Sequence, residues 1–190
     1  MPEVFVIGGP NGAGKSTAVR ALLPEFIRVT QFVNADEIAR GLAGFAPETV
    51  AQEAGRIMLR RLQTLAAQRV NFAFESTLAS RSFAPWLARL RERGYDVHVI
   101  YLWVPSAEFS MQRVAARVRA GGHDVPEATI RRRYERGRRN FIRLYAPVAD
   151  TWEIYDNSGM EPQLVAFGGN NEATTILNEQ IWNMITLGEP

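Results

Sequence analysis

Val4-Phe5-Val6-Ile7-Gly8-Gly9-Pro10-Asn11-Gly12-Ala13-Gly14-Lys15-Ser16-Thr17-Ala18-Val19 is the stretch from which the rest of the chain is read. Val4 to Ile7 is a short apolar run, a glycine-rich loop follows, and Lys15 to Leu23 has a helical pattern that Pro24 ends. Gly9 to Ser16 match G-x-x-x-x-G-K-[ST] between an expected strand and an expected helix, which is the context a phosphate cradle needs. The glycines let backbone N–H groups turn inward, and the helix start adds its positive dipole end. Lys15 is expected to reach the β/γ oxygens of ATP and the Ser16 hydroxyl to ligate Mg2+. Gly9, Pro10, Asn11, Gly12, Ala13, Gly14, Lys15, Ser16 and Thr17 are thus the expected nucleotide-binding set. Transporter-type ATPases use the same loop wording, but no LSGGQ-like segment and no four-residue apolar run ending in Asp-Glu occurs here.

Downstream of the loop, strand and helix patterns alternate. A weak extended segment, Val29 to Val33, runs into Asn34-Ala35-Asp36-Glu37, and Pro47 to Gln68 carries Val50, Ala54, Ile57, Met58, Leu62 and Leu65 on one helical face. Val70 to Phe74 reads as a strand ending at Glu75, Ser82 to Arg93 as a helix, and Val97 to Val104 as a nearly continuous apolar strand. Helices over about Ser106 to Arg119 and Pro126 to Tyr145 follow, then strands at Trp152 to Tyr155 and Leu164 to Phe167, and a last helix from Glu172 to Leu187. Strands without polar alternation belong in a sheet buried on both faces. The expectation is one α/β domain over residues 1–190: a P-loop NTPase-type parallel sheet, helices on both faces, and a helical arginine-rich lid at about 117–140. Residues 160–190 add a strand and helix of no assigned role. Ligands of such sheets bind beyond the carboxyl ends of the strands, so Gly9, Asp36, Glu75 and Asn157 should open onto one edge.

Composition narrows the classes. With 190 residues, 46% hydrophobic and 22% charged, the chain is long enough for a core and unlike a disordered one. The absence of cysteine excludes disulfides, thiolate zinc sites and a cysteine nucleophile. No basic n-region, cleavage pattern or apolar stretch near membrane length is present, so a cytoplasmic protein with no membrane association is expected. Lys15 is the one lysine beside 21 arginines, and a compact ammonium suits the space between phosphates better than a planar guanidinium does.

Phosphoryl transfer to an alcohol needs a carboxylate near the hydroxyl, a magnesium ion, and cations over the transferring group. Asp36 is the candidate for orienting and deprotonating the hydroxyl; its other reading is an N-cap for a helix Glu37 to Leu42. Glu75 and Thr77, at a strand tip, are candidates for holding substrate hydroxyls or the waters on magnesium, or else are turn residues. Arg81 is either a contact for an anionic substrate or a surface arginine. Between Arg117 and Arg143 lie nine arginines and three acids around a glycine loop with His123. Ile130, Tyr134, Phe141 and Tyr145 fall on one helical face, with Arg132, Arg136, Arg139 and Arg143 opposite, so much of that charge is a solvated face. The same design suits a lid that closes on phosphates, with Arg117, Arg119 and Arg132 as its contacts. His123 is a further candidate substrate contact, and Asn157, in Asp156-Asn157-Ser158, a candidate border for the adenine.

The ordered segments GPNGAGKST, VNADEIARGL, FAFESTLASRSF, VRAGGHDVPEATIRRRYERGRRNF and YDNSG resemble the zeta toxin family of P-loop kinases, its short members in particular. The resemblance runs from about Glu3 to Gly159. It implies ATP with magnesium as the nucleotide and a hydroxyl of UDP-N-acetylglucosamine as a conceivable acceptor. It also implies Lys15 and Ser16 on phosphate and metal, Asp36 as catalytic base, Glu75 and Thr77 at the substrate, and Arg119 and Arg132 over the γ-phosphate, with Arg117 and Arg133 as neighbours that can take those places. An antitoxin is a further implied partner. Two other readings stand beside a small-molecule kinase. A polynucleotide bound by the Arg117 to Arg143 stretch is disfavoured by a net charge of only +2. A non-catalytic regulatory ATP binder would tolerate loss of Asp36.

Overall fold

In the first part of the chain, apolar runs too short for a helix become strands, and the first four strands are each followed by a helix. The computed structural model describes residues 1–22, 29–44, 46–122, 124–170 and 172–188. The chain order is β1 (Glu3–Gly8), α1 (Lys15–Leu22), β2 (Phe32–Val33), α2 (Ala35–Leu42), a 3-10 turn (Pro47–Val50), α3 (Ala51–Ala67), β3 (Phe72–Ser76), α4 (Phe83–Glu92) and β4 (Asp96–Trp103). Then come α5 (Ala107–Arg119), α6 (Glu127–Asn140), a π-helical turn (Phe141–Tyr145), a 3-10 turn (Ala146–Val148), β5 (Thr151–Asp156), β6 (Gln163–Gly169), β7 (Glu172–Ile176) and α7 (Glu179–Leu187).

The strands form one sheet in the order β2-β3-β1-β4-β5-β6-β7. From β2 to β5 the neighbours are parallel, as expected of β-α-β crossovers, and Ile7 lies across from Glu75, Val33 from Phe74 and Trp103 from Asp156. That register brings the carboxyl ends of β1, β2, β3, β4 and β5 to one edge. Core residues Val4, Val6, Phe72, Phe74, Val97 and Val99 are buried, so the central strands lack polar alternation because helices cover both faces.

Two expectations need correction. The last two strands are antiparallel, β6 to β5 and β7 to β6, so the sheet is mixed at that edge. The expected helix from Glu172 is a strand, β7, followed by the shorter α7 whose N-cap Asn178 accepts from Ile181 N–H. Glu172-Ala173-Thr174-Thr175-Ile176 is exposed along its whole length, so no apolar alternation marked it. α7 returns to the core through the buried Ile185 and through Trp182 stacked on Trp152 at 5.9 Å. The expected strand from Val29 is confined to Phe32–Val33, and the expected helix stop at Pro24 lies outside the described residues.

α5 and α6 form a hairpin with its own small core, Val114, Val125 and Ile130. The second half of α6 is pinned to the sheet. Tyr134 Oη donates to Val104 O at 2.8 Å, Asn140 Nδ2 donates to Leu78 O at 2.8 Å, and Tyr145 Oη donates to Ser80 O at 2.5 Å. Gly137 sits against the Thr77 carbonyl so closely that a Cβ there would collide with it.

Candidate active site

The loop from Gly9 to Gly14 closes on itself before α1 starts. Ala13 N–H donates to Pro10 O at 3.2 Å, and Thr17 and Ala18 N–H donate to Gly14 O at 3.1 and 2.9 Å. The glycine loop thus leads directly into the N-terminal end of α1, where the positive end of the helix dipole suits an anion. Gly14 has φ +81°, and a Cβ on it would stand 2.5 Å from Asn157 Nδ2, so this position needs glycine for both conformation and space. Asn157 Nδ2 donates to Ala13 O at 2.6 Å, and the loop bearing Asn157 is itself clamped by Arg113, which donates to Asn157 O at 2.7 Å and Ser158 O at 3.0 Å. Asn157 thus braces the cradle as well as lining it.

Glu75 is the hub of the site. Its Oε2 accepts from Ser16 Oγ at 2.8 Å and from Asn34 Nδ2 at 2.7 Å, while Oε1 lies 3.5 Å from Lys15 Nζ. Lys15 is 6% exposed and also donates to Pro10 O at 2.8 Å. Burial pulls its ammonium below the usual lysine range, opposed by the charges of Glu75 and then Asp36. These contacts hold a lysine amine and a hydroxyl at the mouth of the glycine loop, so the residues present suit a magnesium–nucleotide complex.

Asp36 does not cap a helix. Asn34 is the N-cap of α2: its Oδ1 accepts from Asp36 N–H at 2.7 Å, and its Nδ2 is the group that reaches Glu75. Asp36 therefore occupies the first turn with its carboxylate at the cleft. Two cavities meet there. One, of about 600 Å³, is lined by Gly12, Gly14, Ser16, Thr17, Arg113, Arg117 and Asn157; the other, of about 500 Å³, by Asn34, Arg56, Ser76, Thr77, Ser80 and Arg133. Asn11, Lys15, Asp36 and Glu75 line both.

The arginines are distributed differently from the sequence-based expectation. Arg117 lines the cavity of about 600 Å³. Arg119 is exposed and lines neither cavity, and Arg132 is exposed with its guanidinium 3.5 Å from Thr129 Oγ1. Arg133 takes the inner position: it lines the cavity of about 500 Å³ and donates to Asn11 Oδ1 at 3.4 Å. Burial lowers its pKa, and the Asp36 charge opposes that shift. Arg81 lies outside both cavities, in a group with Arg136, Arg139 and Arg143. His123 is outside the described residues. Asn34 and Arg113 are the site residues that sequence reasoning did not single out, and Arg133 entered it only as a neighbour able to take the place of Arg119 or Arg132; Gly137, one turn beyond Arg133, was the available sign of which α6 face approaches β3.

The chain is similar to proteins of known sequence and structure. The family model described as Zeta toxin matches residues 1–162. An uncharacterized protein of Haemophilus influenzae is 30% identical over 126 residues, 66% of this chain and 88% of that protein. Among solved structures, a chain of the AvrRxo1-ORF1:AvrRxo1-ORF2 complex with sulphate ions has a TM-score of 0.80 at 18% identity, covering 98% of this chain. This chain spans 64% of the length of that one. The structure of that complex with ATP has a TM-score of 0.77, again at 18% identity, over 98% of this chain and 64% of that one. A chain of the PezAT chromosomal toxin-antitoxin system of Streptococcus pneumoniae has a TM-score of 0.67 at 18% identity, covering 100% of this chain and 80% of that one.

Proposed function

We propose, for a chain that belongs to the zeta toxin family and is thereby an ATP-dependent phosphotransferase, that phosphate passes from the cradle at Gly9–Ser16 to a small-molecule hydroxyl held beside Asp36. The observation that carries this reading is that Asn11, Lys15, Asp36 and Glu75 form the wall shared by both cavities. A donor in one and an acceptor in the other would meet at those side chains.

The roles follow from the contacts. Lys15, buried and 3.5 Å from Glu75 Oε1, would neutralise phosphate oxygens. Ser16 would hold magnesium, and a bound ion would supply charge neutralisation across the phosphates. Glu75, at the tip of β3 with Ser16 and Asn34 on one oxygen, fixes both hydroxyl and cap and keeps its second oxygen toward Lys15. Asp36 accepts the proton of the incoming hydroxyl, and Thr77 and Arg133 hold the acceptor in line. Arg117 lies over the nucleotide side. Arg119 and Arg132 would reach the γ-phosphate only if the hairpin closed, while α6 from Tyr134 onward is bonded to the body of the domain.

The family suggests a UDP-sugar such as UDP-N-acetylglucosamine as acceptor and an antitoxin as protein partner, the latter supported by the likeness to a chain of the PezAT toxin-antitoxin system. No described helix is long and apolar enough to cross a membrane, and a protein of the cytoplasm, where ATP is plentiful, is the compartment this reading requires. Incubation with labelled ATP, magnesium and a panel of UDP-sugars, free sugars and oligonucleotides tests it. Label on a sugar or UDP-sugar supports the proposal; label on oligonucleotide 5′-hydroxyls alone, or on nothing, contradicts it.

A further inference from the structure

A third cavity, of about 690 Å³, opens on the outer side of α6, away from the P-loop. Arg81, Arg136, Arg139 and Arg143 line it together with Asn140, and no carboxylate is among the lining residues. None of these four arginines forms an ion pair with a described residue. Arg136, Arg139 and Arg143 are spaced so that their side chains share one helical face, where like charges repel. Arg81 adds a fourth positive charge from a different element. Salt screens such repulsion over roughly 8 Å, so the arrangement is tolerable, but nothing in the described chain compensates it.

What separates this cluster from a solvated helix face is that its two halves are locked together. The loop beneath Arg81 is tied to α6 by Asn140 Nδ2, which donates to Leu78 O at 2.8 Å and Ala79 O at 3.2 Å, and by Tyr145 Oη, which donates to Ser80 O at 2.5 Å. Gly137 lets the two backbones touch. Leu78 is fully buried at φ 55°, a conformation bulky residues rarely adopt and one held only where the surroundings impose it. The backbones that carry the guanidinium groups are therefore preorganised around the cavity before any ligand arrives.

We propose that this cavity is an oxyanion site that takes a phosphate-type group, distinct from the nucleotide cradle. Planar guanidinium forks match phosphate oxygens in pairs, and four of them around one concave space suit a small, multiply charged anion better than a flat surface contact does. Ser80 lines both this cavity and the acceptor-side one, so the anion is either part of the acceptor or a separate phosphate. Binding itself does not depend on the kinase reading.

The test is calorimetric titration of inorganic pyrophosphate, without metal, into the full chain with the P-loop filled by a non-hydrolysable ATP analogue. The same titration is run on an Arg139→Gln/Arg143→Gln variant. Saturable, salt-sensitive binding that weakens about tenfold or more in the variant is expected, since two charge-assisted contacts are lost. Arg139→Lys/Arg143→Lys, which keeps the charge and loses the fork, should weaken binding by less and serves if the glutamine variant does not fold. No saturable binding, or equal affinity in the variants, overturns the proposal. Where binding is lost, variant turnover that falls only for phosphate-bearing acceptors assigns the anion to the acceptor, and unchanged turnover assigns it to a free phosphate. Failure of the ATP analogue to bind would count against the kinase reading and leave the difference in pyrophosphate binding to be read alone.

Discussion

Replacing Glu75 by Gln removes one charge and one acceptor from a site where three donors converge. In the native site Glu75 accepts from Ser16 and Asn34 and faces Lys15 Nζ at 3.5 Å. A glutamine offers one oxygen, and its amide must point at either the Asn34 amide or the Lys15 ammonium. Lys15 then keeps Pro10 O as its remaining partner. Removing one member of a buried ion pair typically costs about 3–5 kcal/mol, and the partial exposure of Glu75 together with the surviving Pro10 bond lowers that to roughly 2–3 kcal/mol. For a chain of this size that is a fall in Tm of about 4–12 °C. Urea unfolding of Glu75→Gln, Lys15→Met and the double variant measures it. Because Lys15→Met removes the charge that needs a partner, the double variant should cost less than the sum by about 1 kcal/mol or more. Metal-free ATP should also raise the Tm of Glu75→Gln more than that of the native protein, since the triphosphate replaces the missing counter-charge. A cost below about 0.5 kcal/mol for Glu75→Gln, or strict additivity with Lys15→Met, would refute the view that these two side chains hold each other in place.

Other consequences are equally specific. Asn34→Asp keeps the α2 cap but sets a carboxylate against Glu75, so it should destabilise the protein more than Asn34→Ala, which loses about 1 kcal/mol of capping plus one hydrogen bond; thermal unfolding at neutral pH ranks the two. Gly137→Ala gains up to about 1 kcal/mol of helix propensity but forces α6 off the Thr77 carbonyl, and overpacking of about 1–3 kcal/mol should win, read as a lower Tm. Lys15 has a lowered pKa in the folded, unliganded protein, so the unfolded chain binds more protons between the two values and the penalty for its burial shrinks as pH rises through that window. A bound triphosphate reverses the shift, so calorimetry in buffers of different ionisation enthalpy should show proton uptake on ATP binding at alkaline pH and none in Lys15→Met.

Most of the fold was written in local pattern, because buried parallel strands are apolar without interruption and the loop at Gly9–Ser16 has a fixed grammar. β7 was not legible: Glu172 to Ile176 is exposed on both faces, so nothing periodic distinguishes it from a helix start, and the antiparallel turn at the sheet edge depends on long-range pairing. Asp36 at the cleft was legible, but the capping role belongs to Asn34, since both residue types cap well and only the structure shows which side chain turns back onto the α2 amides. The choice between Arg132 and Arg133 turns on a rotation of one residue about α6, about 100°, which the apolar stripe alone does not fix to that accuracy. Gly137 fixes it, because a helix that must touch another backbone does so through a residue without a side chain, and Arg133 lies one turn from that contact.

The central claim is that Asp36 readies an acceptor hydroxyl for attack on a phosphate held by the Gly9–Ser16 loop. Single-turnover phosphoryl transfer by Asp36→Asn, set beside its equilibrium affinity for ATP, measures this most directly. The account predicts that transfer falls by about 10²–10⁴-fold while the affinity for ATP stays within a few-fold of the native value. Native rates of transfer in Asp36→Asn would contradict it.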